Sequence, residues 1–132
     1  MSVVLFGAHA RAEDDQKTVQ GTWVLVASER DGQSTPAEQL KARDVRMIFE
    51  DDRLLAKMAD KSVGLGTFTL DPTASPKTYD RIYPDGSKRL GIYKIEGKNL
   101  TICVADLKKE RPKDFGTAKG DGRTQVVYQR ED

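Results

Sequence analysis

A single cysteine and a single histidine stand in these 132 residues, and each scarcity closes off chemistry. Cys103 alone permits no internal disulfide. It lies in the strand-like stretch Leu100-Thr101-Ile102-Cys103-Val104, where a small buried hydrophobe is expected rather than a nucleophile. His9, the one histidine, falls in an N-terminal segment that reads as removable. A chain without it has no Ser-His-Asp or Cys-His arrangement, and a zinc site would be left with Cys103 and carboxylates, a poor donor set. Long apolar runs are missing as well. Val3 to Ala8 is far short of the ~20 residues that a membrane-spanning helix needs.

Charge of one sign is lacking too: 22 basic residues face 21 acidic ones, a net charge of +1. No face is basic enough to track phosphates, so no nucleic-acid partner is expected. The densest basic run, Lys108-Lys109-Glu110-Arg111-Pro112-Lys113, is broken by an acid and a proline and reads as a solvated loop. Gly64-x-Gly66 lies mid-strand and opens no helix, which excludes a phosphate-cradling loop. The acids Asp14-Asp15, Glu50-Asp51-Asp52 and Glu131-Asp132 sit at turns or termini, where solvated carboxylates are expected instead of catalytic pairs or calcium ligands. The expectation is a binding protein, with no catalytic residue, no metal and no cofactor.

What is present begins with a leader-like segment. The apolar stretch Val3 to Ala8 is followed by Ala8-His9-Ala10 and Ala10-Arg11-Ala12, small-x-small patterns of the kind signal peptidase accepts. Residues 1–12 are expected to be an export signal cut short at its front, and residues 13–132 a single domain, periplasmic or otherwise extracytoplasmic. The polar stretch Glu13 to Lys17 suits a short helical turn that covers one end of the fold.

Eight short, alternating, turn-separated strands follow. They cover 23–28, 45–50, 53–58, 63–70, 77–83, 89–95, 100–105 and 123–130. Turn signals at Asp31-Gly32, Asp51-Asp52, Lys61, Pro84-Asp85-Gly86 and Glu96-Gly97-Lys98 separate them. Between the first two strands, Thr35-Pro36-Ala37-Glu38 carries a helix-start pattern with Thr35 as cap and Glu38 in a capping box. The connection 106–122 is the longest. Turns this short enforce antiparallel order, and eight strands close a barrel that is either filled by side chains or holds one small ligand. An open sandwich is the structural rival.

Gly21-Thr22-Trp23 at the mouth of the first strand resembles the opening of calycin-type barrels. There the tryptophan plugs one end, the glycine leaves room for its ring, and an arginine from the last strand packs on the indole. Arg130, with Arg123 as alternate, is placed for that role. Gln20 to Val26, Glu29-Arg30-Asp31-Gly32, Gly66 to Pro72, Pro76-Lys77-Thr78, Gly91 to Gly97, Leu100 to Cys103 and Arg111 to Phe115 are similar to one family in particular. It is a small lipocalin-like domain of unknown function, abundant in planctomycete bacteria, and the likeness covers residues 16 to 130. It implies an all-β fold: an eight-stranded antiparallel up-and-down barrel of the lipocalin/calycin type, with a short helical turn in the first loop. It implies export for many members and carries over no catalytic residue.

Parity then assigns faces. If Trp23 and Leu25 point inward, so should Met47, Phe49, Leu54, Met58, Phe68, Tyr93, Ile95, Val126 and Tyr128. The face of Leu100, Ile102 and Val104 is left open. Tyr79, Arg81 and Tyr83 share a face where the family has aliphatic residues. Turned inward, Arg81 between two phenols would anchor a carboxylate or other anion in an apolar cup; turned outward, the three make an ordinary solvated strand face. The expected ligand contacts are Tyr79, Arg81, Tyr83 and Tyr93, and the expected ligand is small and apolar or amphipathic. The alternative is a filled barrel that binds or inhibits a protein partner through the 31–44 and 106–122 loops, both closing over one end.

Overall fold

Short turns leave each strand only its sequence neighbour to pair with, and the chain carries that rule around a full circle. The computed structural model describes residues 15–131; the leader-like residues 1–12, with Glu13, Asp14 and Asp132, lie outside the described residues. The strands are β1 (Gly21–Arg30), β2 (Gln33–Ser34), β3 (Val45–Glu50), β4 (Arg53–Met58), β5 (Lys61–Asp71), β6 (Thr78–Ile82), β7 (Lys88–Glu96), β8 (Asn99–Ala105) and β9 (Arg123–Arg130). Every paired neighbour is antiparallel, and β9 returns to β1 with Trp23 opposite Arg130 and Arg30 opposite Thr124. β1 and β3 to β9 thus form a closed eight-stranded barrel, and β2 is a two-residue hairpin extension of β1.

The expected helical turn in the first loop is present as a helix over Ala37–Arg43, held on β1 by the buried Leu40. Its capping differs from expectation. Pro36 occupies the N-cap and no side chain caps the helix. Thr35 instead donates its backbone N–H to the Ser28 carbonyl at 2.8 Å, which ties it to β1 rather than to the helix.

Up-and-down order gives the barrel two unlike ends. At the closed end lie the turns 51–52, 72–77 and 97–98 with residues 15–20; at the open end lie 31–44, 59–60, 83–87 and the start of 106–122. Trp23, Phe49, Leu54, Phe68, Tyr93 and Leu100 fill the interior toward the closed end, each no more than 2% exposed. Phe49 and Phe68 meet edge to face, centroids 5.0 Å apart, the arrangement that aromatic quadrupoles favour. Leu100, Ile102 and Val104 join this inner side. Met58 does not: its parity is inward, but it stands beyond the barrel wall at the open end and is 45% exposed.

Gly66 shapes the wall. Its φ is +106°, and a Cβ there would sit 2.1 Å from the Ile82 carbonyl oxygen, so no other residue fits. The register shifts at this point between β4 and β5, a bulge that bends the sheet toward closure.

Connection 106–122 departs from expectation. It leaves the open end but runs down the outer wall as a strap. Arg111 donates to the Asp80 carboxylate at 2.6 Å and to the Gly91 carbonyl at 2.7 Å, and Gln125 donates to the Phe115 carbonyl at 2.5 Å. Thr117 donates to Glu29 at 2.6 Å and accepts from the Gly32 N–H at 3.0 Å. Pro112 is wholly buried. The reason is apolar surface: Ile92, Thr101 and Cys103 on the outer face of β7 and β8 are buried too. The basic run around Arg111 is therefore partly a structural anchor, not simply a solvated loop.

The closed end is sealed by residues 15–20. Trp23 donates its indole N–H to the Val19 carbonyl at 2.9 Å, and Val19 itself is buried. The Arg130 guanidinium lies 4.3 Å from the indole centroid and donates to the Gln20 carbonyl at 3.1 Å and to the Thr18 carbonyl. A stacked cation of this kind contributes about 0.5–2 kcal/mol. Arg123 is at the opposite end, 3.5 Å from Asp114. Gly21 serves the latch differently from expectation: its φ is +112°, and a Cβ would approach Arg130 Nη1 at 3.4 Å, so it accommodates the arginine rather than the ring.

Candidate functional site at the open end of the barrel

Above the packed half of the interior, the barrel keeps a cavity of about 120 Å³ lined by Met47, Tyr79, Arg81, Arg89, Ile102 and Tyr128, among others. Arg89 and Thr124 continue from it into a mouth of about 480 Å³ bordered by Arg30, Tyr83, Asp106 and Leu107. The β6–β7 hairpin supplies the charge. Arg81 stands opposite Arg89, and Tyr79 opposite Gly91, on the side that meets Phe68 and Leu70 of β5. Gly91 lets the strands on either side approach closely: a Cβ there would sit 2.8 Å from the Cys103 carbonyl oxygen and 3.2 Å from that of Tyr79. The shared face of Tyr79 and Arg81 is thus the inner one.

Of the expected ligand contacts, the structure brings three together. Tyr79 is buried in the cavity wall. Arg81 donates Nε–H to the Leu65 carbonyl at 3.3 Å and stacks 4.4 Å from the Tyr83 ring centroid, with Tyr83 at the rim just past β6. Tyr93 is elsewhere: its hydroxyl donates to Asp15 at 2.6 Å at the closed end, where Lys77 reaches the same oxygen at 3.0 Å.

Charge at the mouth is uneven. Arg30 makes a two-pronged contact with Asp106 at 2.7 and 3.0 Å, and the same carboxylate receives Arg89 at 3.4 Å. The hydrogen bond from Arg30 holds the Asp106 carboxyl below its ordinary range. Arg89 also donates Nε–H to the Ala105 carbonyl at 3.0 Å. Arg81 has no carboxylate partner among the described residues, and neither terminal nitrogen of its guanidinium has a hydrogen bond there. Arg30 and Arg89 thus share one carboxylate, and Arg81 is left without one.

Two phenols face this arginine. Tyr79 and Tyr128 are each 5% exposed, and neither hydroxyl has a hydrogen-bond partner among the described residues. No buried side-chain oxygen there is both sealed from solvent and unpaired, so these hydroxyls open onto the cavity. Burial raises the Tyr79 phenol and pushes Tyr128 up to about 12, with the Arg81 charge acting the other way on both. Both keep their protons at neutral pH and stand as O–H donors.

Sequence reasoning treated Tyr128 as filling and passed over Arg89, Arg30 and Asp106. Arg89 was within reach: the Pro84-Asp85-Gly86 turn, taken as the hairpin's centre, puts residue 89 opposite 81. Arg30 and Asp106 meet across 76 residues of chain, and no local pattern announces that. A hollow of about 580 Å³ on β4 to β6, bordered by Gly64 and Gly66, gathers only Arg53 as a charged group. Among the described residues, no group of three or more His, Cys, Asp or Glu side chains could hold a metal ion. No helix there is long and apolar enough to cross a membrane. No protein-family model matches the chain, and a comparison with curated proteins finds no match.

Proposed function

We propose that this chain is a lipocalin-like binding module that takes a small apolar or amphipathic ligand at the open end of its barrel and works by binding rather than catalysis. The observation that carries the reading is the division of the interior. The closed half is filled by large side chains, whereas the open half keeps a cavity of about 120 Å³ with an arginine that reaches no carboxylate and two phenols without a hydrogen-bond partner among the described residues. A ligand acceptor placed in this cavity meets donors that have no competing protein acceptor among the described residues. The leader-like residues and the motif likeness to the lipocalin-like domain support an exported protein. A surface module working through its loops receives less support, because the strap is tied to the outer wall by Arg111, Phe115 and Thr117.

Native mass spectrometry of the full chain, purified without refolding, tests the reading. A reproducible adduct that disappears on denaturation is the expected result. A bare mass, together with no uptake of any member of a panel of apolar and amphipathic compounds, overturns it.

A further inference from the structure

The interior face does not stop at the barrel wall. Val45 is paired with Met58, and Val63 with Ala56, which lies two residues before Met58 on the same face of β4. Met47, two residues from Val45, lines the cavity. Val45, Met58 and Val63 therefore carry the inner side of β3 to β5 outward past the open end. Met58 and Val63 are 45% and 46% exposed, large apolar side chains left in water. Leu107, 46% exposed, borders the mouth. Below this apolar lip come the arginines, and below them the two phenols.

We propose, building on the binding function above, that the ligand is a carboxylate amphiphile held head-inward. Its carboxylate lies against the terminal nitrogens of Arg81 and the hydroxyls of Tyr79 and Tyr128, and its apolar chain leaves over the Val45–Met58–Val63 lip.

Size argues for this orientation. A cavity of about 120 Å³ is well under the ~300–1,000 Å³ of sites that enclose a whole drug-sized ligand, so only a head group and its first carbons fit inside. Pairing argues that the head meets Arg81: Arg30 and Arg89 both reach Asp106, whereas Arg81 reaches no carboxylate among the described residues. Geometry argues for a planar head. With Nε committed to Leu65 and the ring of Tyr83 stacked on one face, Arg81 is held in place and its two terminal nitrogens present parallel donors, the fork that matches a carboxylate.

Isothermal titration of the full chain with dodecanoate, dodecanol and dodecyl phosphate, each below its micelle concentration, tests the inference. Dodecanoate should bind at least about 10-fold more tightly than dodecanol, because a charge-assisted bond is lost with the alcohol. Arg81→Met should erase that difference while leaving dodecanol affinity nearly unchanged. Tyr128→Phe removes one hydroxyl and little volume; it should weaken dodecanoate by roughly 3- to 10-fold. This milder variant keeps the test decisive if Arg81→Met folds poorly. Met58→Ser should weaken dodecanoate but not acetate or butyrate, which end before the lip. Equal binding of dodecanol and dodecanoate overturns the head-inward assignment and leaves the binding function standing. Tighter binding of dodecyl phosphate overturns the carboxylate assignment. Failure of all three probes overturns this inference, and the native mass measurement then decides the binding function separately.

Discussion

Cys103 shows how a side chain's chemistry is set by what covers it. It sits on the outer face of a strand, where alternation alone would leave it in water, yet it is wholly buried beneath the strap near Gly116. Burial pushes its thiol up to about 11. The thiolate is the reactive form, so this thiol is inert at neutral pH. Iodoacetamide at pH about 8 should leave Cys103 unmodified in the folded chain and alkylate it fully in denaturant, as read by mass. The linkage has a definite sign. The folded pKa is the higher one, so the group's contribution to stability is complete below the unfolded thiol's ordinary value of about 8.5 and is lost as pH rises toward about 11. Cys103→Ala should flatten that alkaline loss relative to the parent chain in thermal unfolding.

The strap and the β6–β7 hairpin act as one element. Asp80 points outward between the inward Tyr79 and Arg81, and Arg111 reaches it at 2.6 Å. The same arginine also satisfies the Gly91 carbonyl, at a point where a Cβ would sit 2.8 Å from the Cys103 carbonyl oxygen. Arg111→Ala strands the Asp80 carboxylate and frees the strap's anchor. It should lower stability by roughly 1–3 kcal/mol in urea unfolding, and limited trypsin digestion should cut at Lys108, Lys109, Lys113 and Lys119 well before the barrel. Equal proteolysis of variant and parent would show that Phe115 and Thr117 alone hold the strap. The hairpin was legible in the sequence because Pro84-Asp85-Gly86 fixes its centre. The strap was not, because its anchors are pairings of residues 10 to 88 positions apart.

For the whole molecule, the pairing of β9 with β1 is secured at the closed end. Asp15, 9% exposed, accepts from Tyr93 of β7 and from Lys77 just before β6, while Arg130 of β9 holds the Thr18 and Gln20 carbonyls against Trp23 of β1. One short segment thereby ties together strands from both halves of the chain. Asp15→Ala leaves the Tyr93 hydroxyl and the Lys77 ammonium without their acceptor. It should cost about 1–3 kcal/mol, with the loss followed by the emission of Trp23, the only tryptophan and one placed at this end. The same substitution should leave dodecanoate affinity unchanged at temperatures where the variant is folded, because the cavity lies in the other half of the barrel.

Strand number, order and the filled half of the core were determined by the sequence itself. Period-two patterning and tight turns act over a few residues, so both are written locally, and so is the inward parity of Phe49, Leu54, Phe68 and Tyr128. Closure of β9 on β1, the descent of the strap along the outer wall and the grouping of Arg30, Arg89 and Asp106 at the mouth were decided only by the tertiary structure. Each depends on where residues far apart in the chain come to rest, as does the separation of Tyr93 from Arg81. Parity told which residues share a face. Only the closed barrel decided which end of the interior they occupy, which arginine is left without a carboxylate among the described residues, and that Met58, inward by pattern, stands in water above the rim.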